Sequence, residues 1–168
     1  MKRVLFYGGA SLLSNIWSRY WKEDHIVYLG LHKKWIEIDG TTSIQISDNL
    51  EDLENVIKKN KIDIIINCAG LTNVEECEKK SEKAYYLNGY LPGELARITN
   101  ELDVKFVQIS TDHLDNGKNR MNEEQIRPNP LNIYAKSKLN GEDNVLVNNH
   151  KALIIRTNFF GNGPSYRP

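Results

Sequence analysis

Short apolar runs alternate along this chain with longer stretches in which apolar positions recur every three or four residues. Residues 3–7 are the first such run and predict a strand, followed by Gly8-Gly9 and a helix over 11–21. Residues 25–29 predict a second strand, and 42–46, where Ile44 and Ile46 alternate with polar positions, a third. Asp48 or Asn49 is placed to cap a helix reaching about residue 60, with Leu50, Leu53, Val56 and Ile57 on one face. Residues 62–67 are almost wholly apolar and β-branched, as a strand covered on both faces requires. A long helix over 81–102 then feeds a strand at 104–109. Residues 110–132 read as a loop with Gly117, Pro128 and Pro130. Asn132 caps a helix to about residue 148, and 152–157 is the last strand.

Strands that alternate with helices pair in parallel through right-handed crossovers, so the pattern predicts an α/β fold, a doubly wound parallel sheet with helices on both faces. An antiparallel α+β arrangement would need tight hairpin signals, and none stands between the strands. The 168 residues suit one domain, assigned to residues 1–157, with a turn-rich tail at 158–168. The 22 basic residues cancel the 22 acidic ones, which speaks against a dedicated nucleic-acid or anionic-membrane binder. No apolar run approaches the ~18 residues of a membrane span. Cys68 and Cys77 make neither a disulfide framework nor a zinc set, and the four histidines have no metal-site spacing. These features lead us to expect a cytoplasmic protein without a metal.

In a doubly wound sheet, ligands bind beyond the carboxyl ends of the strands. A dinucleotide fingerprint after the first strand would place small residues at 8, 11 and 14: for the turn, for pyrophosphate approach and for helix packing. Gly8 is present, whereas Ser11 and Ser14 hold the other positions. Their hydroxyls could donate to a phosphate, but their side chains would take up space it needs; an ordinary turn capped by Ser11 is the competing reading. After the second strand there is no acid to hold a ribose 2′-hydroxyl. Lys33 and Lys34 there would suit a 2′-phosphate, favouring NADP slightly over NAD, or would simply be a solvated loop.

Tyr134 and Lys138 stand four apart at the start of a helix and so share a face. An ammonium beside a phenol favours the phenolate, predicting a lowered tyrosine pKa and proton exchange near neutral pH. That spacing arises readily by chance, but Ser110-Thr111-Asp112 follows a buried strand, where a hydroxyl could meet Tyr134 over a shared substrate oxygen. Cys68 reads as a small core residue, Cys77 as an unlikely nucleophile, and Trp17, Trp21 and Trp35 as packing residues.

The run DIIINCAGLTNVE at 63–75 begins a longer likeness. AYYLN at 84–88, PGELA at 92–96, ISTD at 109–112, PNPLNIYAKSK at 128–138 and IRT at 155–157 continue it. Together they resemble the dTDP-4-dehydrorhamnose reductase family of the extended short-chain dehydrogenase/reductase superfamily, over about 150 residues. The resemblance implies an NAD(P)-binding Rossmann fold and hydride transfer to a 4-keto group of a nucleotide-linked deoxysugar. It implies Tyr134 as proton donor, Lys138 as its activator and ribose anchor, and Thr111 as the hydroxyl polarising the substrate carbonyl. Gly8 would belong to the cofactor site, Ser11, Leu12 and Leu13 would meet the pyrophosphate, and Asp48 would lie near the adenine. Ala69, Gly70 and Thr72 would lie along the nicotinamide side, Ser110 would also bind the cofactor, and Asp112 and Phe159 would lie at the sugar.

Two departures qualify that expectation. The glycine fingerprint is degraded, and the family continues past the equivalent of Thr157 into a smaller substrate lobe that this chain would lack. A homodimer or a partner chain is then one source of the missing lobe. The serines and the missing lobe favour a non-catalytic binding or regulatory subunit of the same fold. The intact Tyr134, Lys138 and Thr111 set favours a reductase, or a nucleotide-sugar epimerase or dehydratase.

Overall fold

The computed structural model describes residues 1–47, 50–115 and 128–158. Its strands are β1 (Arg3–Tyr7), β2 (Ile26–Leu31), β3 (Thr42–Gln45), β4 (Ile64–Asn67), β5 (Lys105–Thr111) and β6 (Leu153–Thr157). All pair in parallel in the order β3-β2-β1-β4-β5-β6. The order reverses between β1 and β4, which opens a crevice beyond their carboxyl ends. Tyr7 pairs there with Gly30 on one side and Asn67 on the other.

The helices are α1 (Leu12–Trp21), α2 (Glu51–Asn60), α3 (Val74–Lys79), α4 (Ser81–Tyr85), α5 (Leu91–Glu101) and α6 (Ile133–Asn148), with a π-helical turn at Tyr86–Tyr90 before α5. Alternation along β1 shows why both faces must be covered. Leu5 joins a core with Leu53, Ile57, Leu95, Ile98 and Val145 from α2, α5 and α6. Val4 and Phe6 point the other way, into a core with Leu13 of α1, Ile36 and Ile38. All three β1 residues are fully buried, as central parallel strands are. No helix among the described residues is long and apolar enough to cross a membrane.

The structure departs from the sequence pattern in two places. The long helix expected over 81–102 is instead α4, a π turn and α5, and a separate α3 precedes them. Asn73 caps α3 through its Oδ1, which accepts the Glu76 N–H at 2.7 Å. Trp17 and Trp21 do pack, stacked on each other with Trp21 edge-on to Phe6, but Trp35 is half exposed, its indole N–H donating to Glu37 at 3.2 Å. The proposed caps Asp48 and Asn49 lie outside the described residues.

Candidate functional site

The turn from β1 into α1 is built on two adjacent glycines. Gly8 has φ +81°, and a Cβ there would sit 2.7 Å from the Ala69 nitrogen. Gly9 presses on β2, where a Cβ would meet Leu29 Cβ at 2.9 Å. Close packing of helix on strand thus falls to Gly9, which the fingerprint spacing passes over. Ser14 does not crowd the crevice as expected. It is fully buried, its hydroxyl donating to the Gly8 carbonyl at 3.1 Å. Ser11 caps α1, accepting the Ser14 N–H at 3.2 Å, and stands on the crevice wall with Leu12 and Leu13. With no acid in its first turn, α1 presents partial positive charge toward the crevice.

The segment after β4 makes the facing wall, with Cys68, Ala69, Gly70 and Thr72. Asn67 fixes its start, accepting the Ala69 N–H at 3.0 Å while donating to Gln108 at 2.8 Å. Asn88, carried inward by the π turn, fixes its middle. Its side chain accepts the Leu71 N–H at 2.8 Å, donates to the Leu71 carbonyl at 2.9 Å and donates to Ser137 of α6 at 3.0 Å. One amide therefore ties the β4 loop to the tyrosine-bearing helix. π turns of this kind recur at functional sites, and a 3.6-residue pattern cannot reveal them.

α6 brings Tyr134 and Lys138 to the far wall. Asn132 caps it, accepting the Ala135 N–H at 2.8 Å, and Glu78 of α3 accepts the Ile133 N–H, also at 2.8 Å. Lys138 is buried and its Nζ donates to the Ile109 carbonyl at 2.6 Å. Ser110 and Thr111 close the floor, both buried. The Ser110 hydroxyl has no hydrogen-bond partner among the described residues. The cleft measures about 510 Å³, within the range of small-molecule sites.

Ser11, Leu12, Leu13, Ala69, Gly70, Thr72, Ser110, Thr111, Tyr134 and Lys138 therefore line one cleft, with Gly8 behind its turn. Asp112 is exposed and outside the lining, while Asp48 and Phe159 fall outside the described residues. Lys33 and Lys34 are exposed just past the end of β2. Sequence reasoning missed Asn88 and His113 as cleft residues; the His113 ring meets Tyr134 edge-on at 6.2 Å.

The expected lowering of the Tyr134 pKa is reversed. Burial pushes the phenol above its ordinary value, the Thr111 hydroxyl pulls it partly back, and Cys77 and Asp112 add to the rise. Burial pushes Lys138 down from 10.5 to about 8, against the pull of Glu142 and Cys68. It also pushes the Cys68 thiol up from 9.0 to about 11, so that thiol is inert near neutrality.

These two shifts act oppositely on stability. The unfolded chain keeps a proton on lysine up to 10.5 that folded Lys138 loses near 8, so raising pH through that window stabilises the fold. The unfolded thiol ionises from 9.0, before folded Cys68 does near 11, so the same rise destabilises above 9. Stability should climb from pH 8 to 9 and then level off. Urea unfolding of Lys138→Met should lose the climb; an identical climb in that variant would assign it elsewhere.

Parallel order, glycine turn and a cleft shared by tyrosine, lysine and threonine at the reversal of strand order define a Rossmann-type domain of the extended short-chain dehydrogenase/reductase class. The RmlD substrate binding domain family matches residues 1–164, and this chain belongs to that family. It is 33% identical over 155 residues to the probable low-salt glycan biosynthesis reductase Agl14 of Haloferax volcanii, covering 90% of this chain and 51% of that protein. A hypothetical dTDP-4-dehydrorhamnose reductase from Sulfolobus tokodaii superposes with TM-score 0.81 at 35% identity, over 96% of this chain and 58% of that one. The Bacillus anthracis dTDP-4-dehydrorhamnose reductase, solved in complex with NADP, gives 0.80 at 29% identity, over 97% and 57%. The chain thus spans about half the length of the relatives it matches.

Proposed function

We propose that this chain carries the cofactor-binding and proton-transfer residues of an NAD(P)H-dependent reductase acting on a nucleotide-linked 4-keto-deoxysugar. The observation that carries the reading is the convergence of the Tyr134 phenol, the Thr111 hydroxyl and the Lys138 ammonium on one cleft beside the α1 N-terminus. The cleft suits a dinucleotide. The start of α1 offers its amides to a phosphate, and the buried Ser110 hydroxyl awaits a partner. Gly8 and Gly70 hold the turn and the facing loop where side chains would collide with backbone or with Asn88.

A bound NAD(P)H would supply the hydride. Thr111 and Tyr134 would then donate hydrogen bonds to the substrate carbonyl oxygen, drawing off charge as it becomes an alkoxide. Tyr134, its pKa raised by burial, is protonated at neutral pH and passes its proton to that alkoxide. Lys138 would hold the ribose hydroxyls. NADP is favoured over NAD by the exposed Lys33 and Lys34 beyond β2, and the Bacillus anthracis relative was solved with NADP.

Calorimetric titration tests the reading. NADPH should bind saturably below millimolar concentration, and NADH more weakly. No heat from either cofactor at millimolar concentration would overturn it and leave the non-catalytic subunit, for which an unused cleft is expected.

A further inference from the structure

Glu142 stands one helical turn beyond Lys138 and two beyond Tyr134, so all three lie along one face of α6. Glu142 is only 4% exposed, yet it takes no part in the proton transfer proposed above. Arg156 of β6 grips it with both ends of the guanidinium. Nε lies 3.1 Å from each carboxylate oxygen, and Nη2 lies 2.6 Å from Oε2. The two partners differ in their access to water, since the Arg156 side chain is 33% exposed and that of Glu142 only 5%. Water screens the positive end of the pair and hardly reaches the negative end. The pair therefore presents a net negative field to the interior, where Lys138 lies.

Among the described residues, His113 lines the same cleft as that lysine, and few other titratable groups face it. Cys68, at the end of β4, is a neutral thiol near neutrality, and from β5 the Ile109 carbonyl accepts the Nζ proton. On α6 itself stand neutral Tyr134 and Glu142, and from β6 Arg156 stands against Glu142 and also feels Asp143. Glu142 is the largest influence opposing the effect of burial on Lys138.

We propose that Glu142, clamped by Arg156, is a positioning residue for the cofactor site: it holds a fixed negative charge one turn behind Lys138 and so keeps the buried ammonium charged in the cleft. The consequence rests on the reductase reading, because a charged Lys138 is what would donate to ribose hydroxyls. With Glu142 neutralised, Lys138 would lose its proton at lower pH, and NADPH affinity would begin to fall at that lower pH.

The test reads the lysine directly in the cofactor-free chain. Lysines carrying 13C at Cε are titrated by NMR, with Lys138 assigned by its loss in Lys138→Met. The wild-type midpoint is expected near 8. Glu142→Gln should lower it by about one pH unit, and Arg156→Gln should raise it. Opposite signs are the signature of charge, since a merely structural role would move both variants alike. An unmoved midpoint in folded Glu142→Gln, or shifts of the same sign in both, overturns the proposal. If Glu142→Gln does not fold, Arg156→Gln decides alone: upward supports it, unmoved or downward overturns it. NADPH titration of wild type, run in parallel, separates the two ideas. Absent binding removes the reductase reading without touching the lysine shift, whereas an unmoved lysine beside saturable binding removes only the role of Glu142.

Discussion

Tyr134→Phe should lower NADPH-dependent reduction of a nucleotide-linked 4-keto sugar by about 10²–10⁴-fold, the usual worth of a positioned proton donor. NADPH affinity should be nearly unchanged. The partly buried ring meets the edge of His113 with or without the hydroxyl, whereas the hydrogen bond between the phenol and Thr111 goes with it. Phenylalanine therefore keeps the ring packing and removes the hydroxyl with its proton. Its backbone is also insulated from the change, because Asn132, Glu78 and Ser137 fix the first turn of α6 through main-chain atoms. The measurements are steady-state turnover and calorimetric affinity on the same preparation. Equal loss of turnover and affinity would show that the hydroxyl binds cofactor rather than serving the substrate oxygen.

The direction of the Tyr134 shift was not readable from the sequence, and the reason is general. Spacing puts Lys138 on the same face as Tyr134, but it does not say what each side chain meets or how dry the site is. In the fold, Lys138 points its Nζ at the Ile109 carbonyl, and burial dominates both groups. The raised phenol pKa suits a donor, where the expected phenolate would have suited a base. Elements with strong local signals were legible: β1 to the residue, and α6 with its Asn132 cap. The Asn73-x-x-Glu76 capping signal for α3 was also present but lay in a stretch to which the apolar pattern assigned no element. The role of Asn88 at the cleft was not legible, because a π turn inserts one residue without disturbing the apolar pattern on either side. Gly9 was obscured differently. Fingerprint spacing drew attention to positions 11 and 14, while the close contact that excludes a side chain falls against Leu29 of a neighbouring strand.

Gly141→Ala should be the most destabilising small substitution near the cleft, although it places a better helix former inside α6. Alanine gains about 1 kcal/mol over glycine in a helix interior. Against that, its Cβ would fall on the Asn88 carbonyl oxygen, with the Asn88 carbonyl carbon at 3.2 Å and Gly89 Cα at 3.6 Å. Those are backbone atoms of the π turn, so no side chain can rotate away, and overpacking of this kind costs typically 1–3 kcal/mol and occasionally more. With backbone against backbone the upper end applies, for a net loss of about 2 kcal/mol. At this chain length that lowers the melting temperature by about 4–8 °C. The contrast is Gly89→Ala, whose Cβ would meet the Oδ1 of Asn140, the end of a side chain that can turn aside. Its melting temperature should fall less. The difference reaches the site as well, because α6 can accommodate Cβ at 141 only by moving away from the π turn. That movement strains the Asn88–Ser137 bond and the hold of Asn88 on Leu71, so residual Gly141→Ala protein should bind NADPH more weakly than Gly89→Ala. Thermal melting followed by cofactor titration reads both effects, and equal melting temperatures for the two variants would show that α6 and the π turn are not in rigid contact.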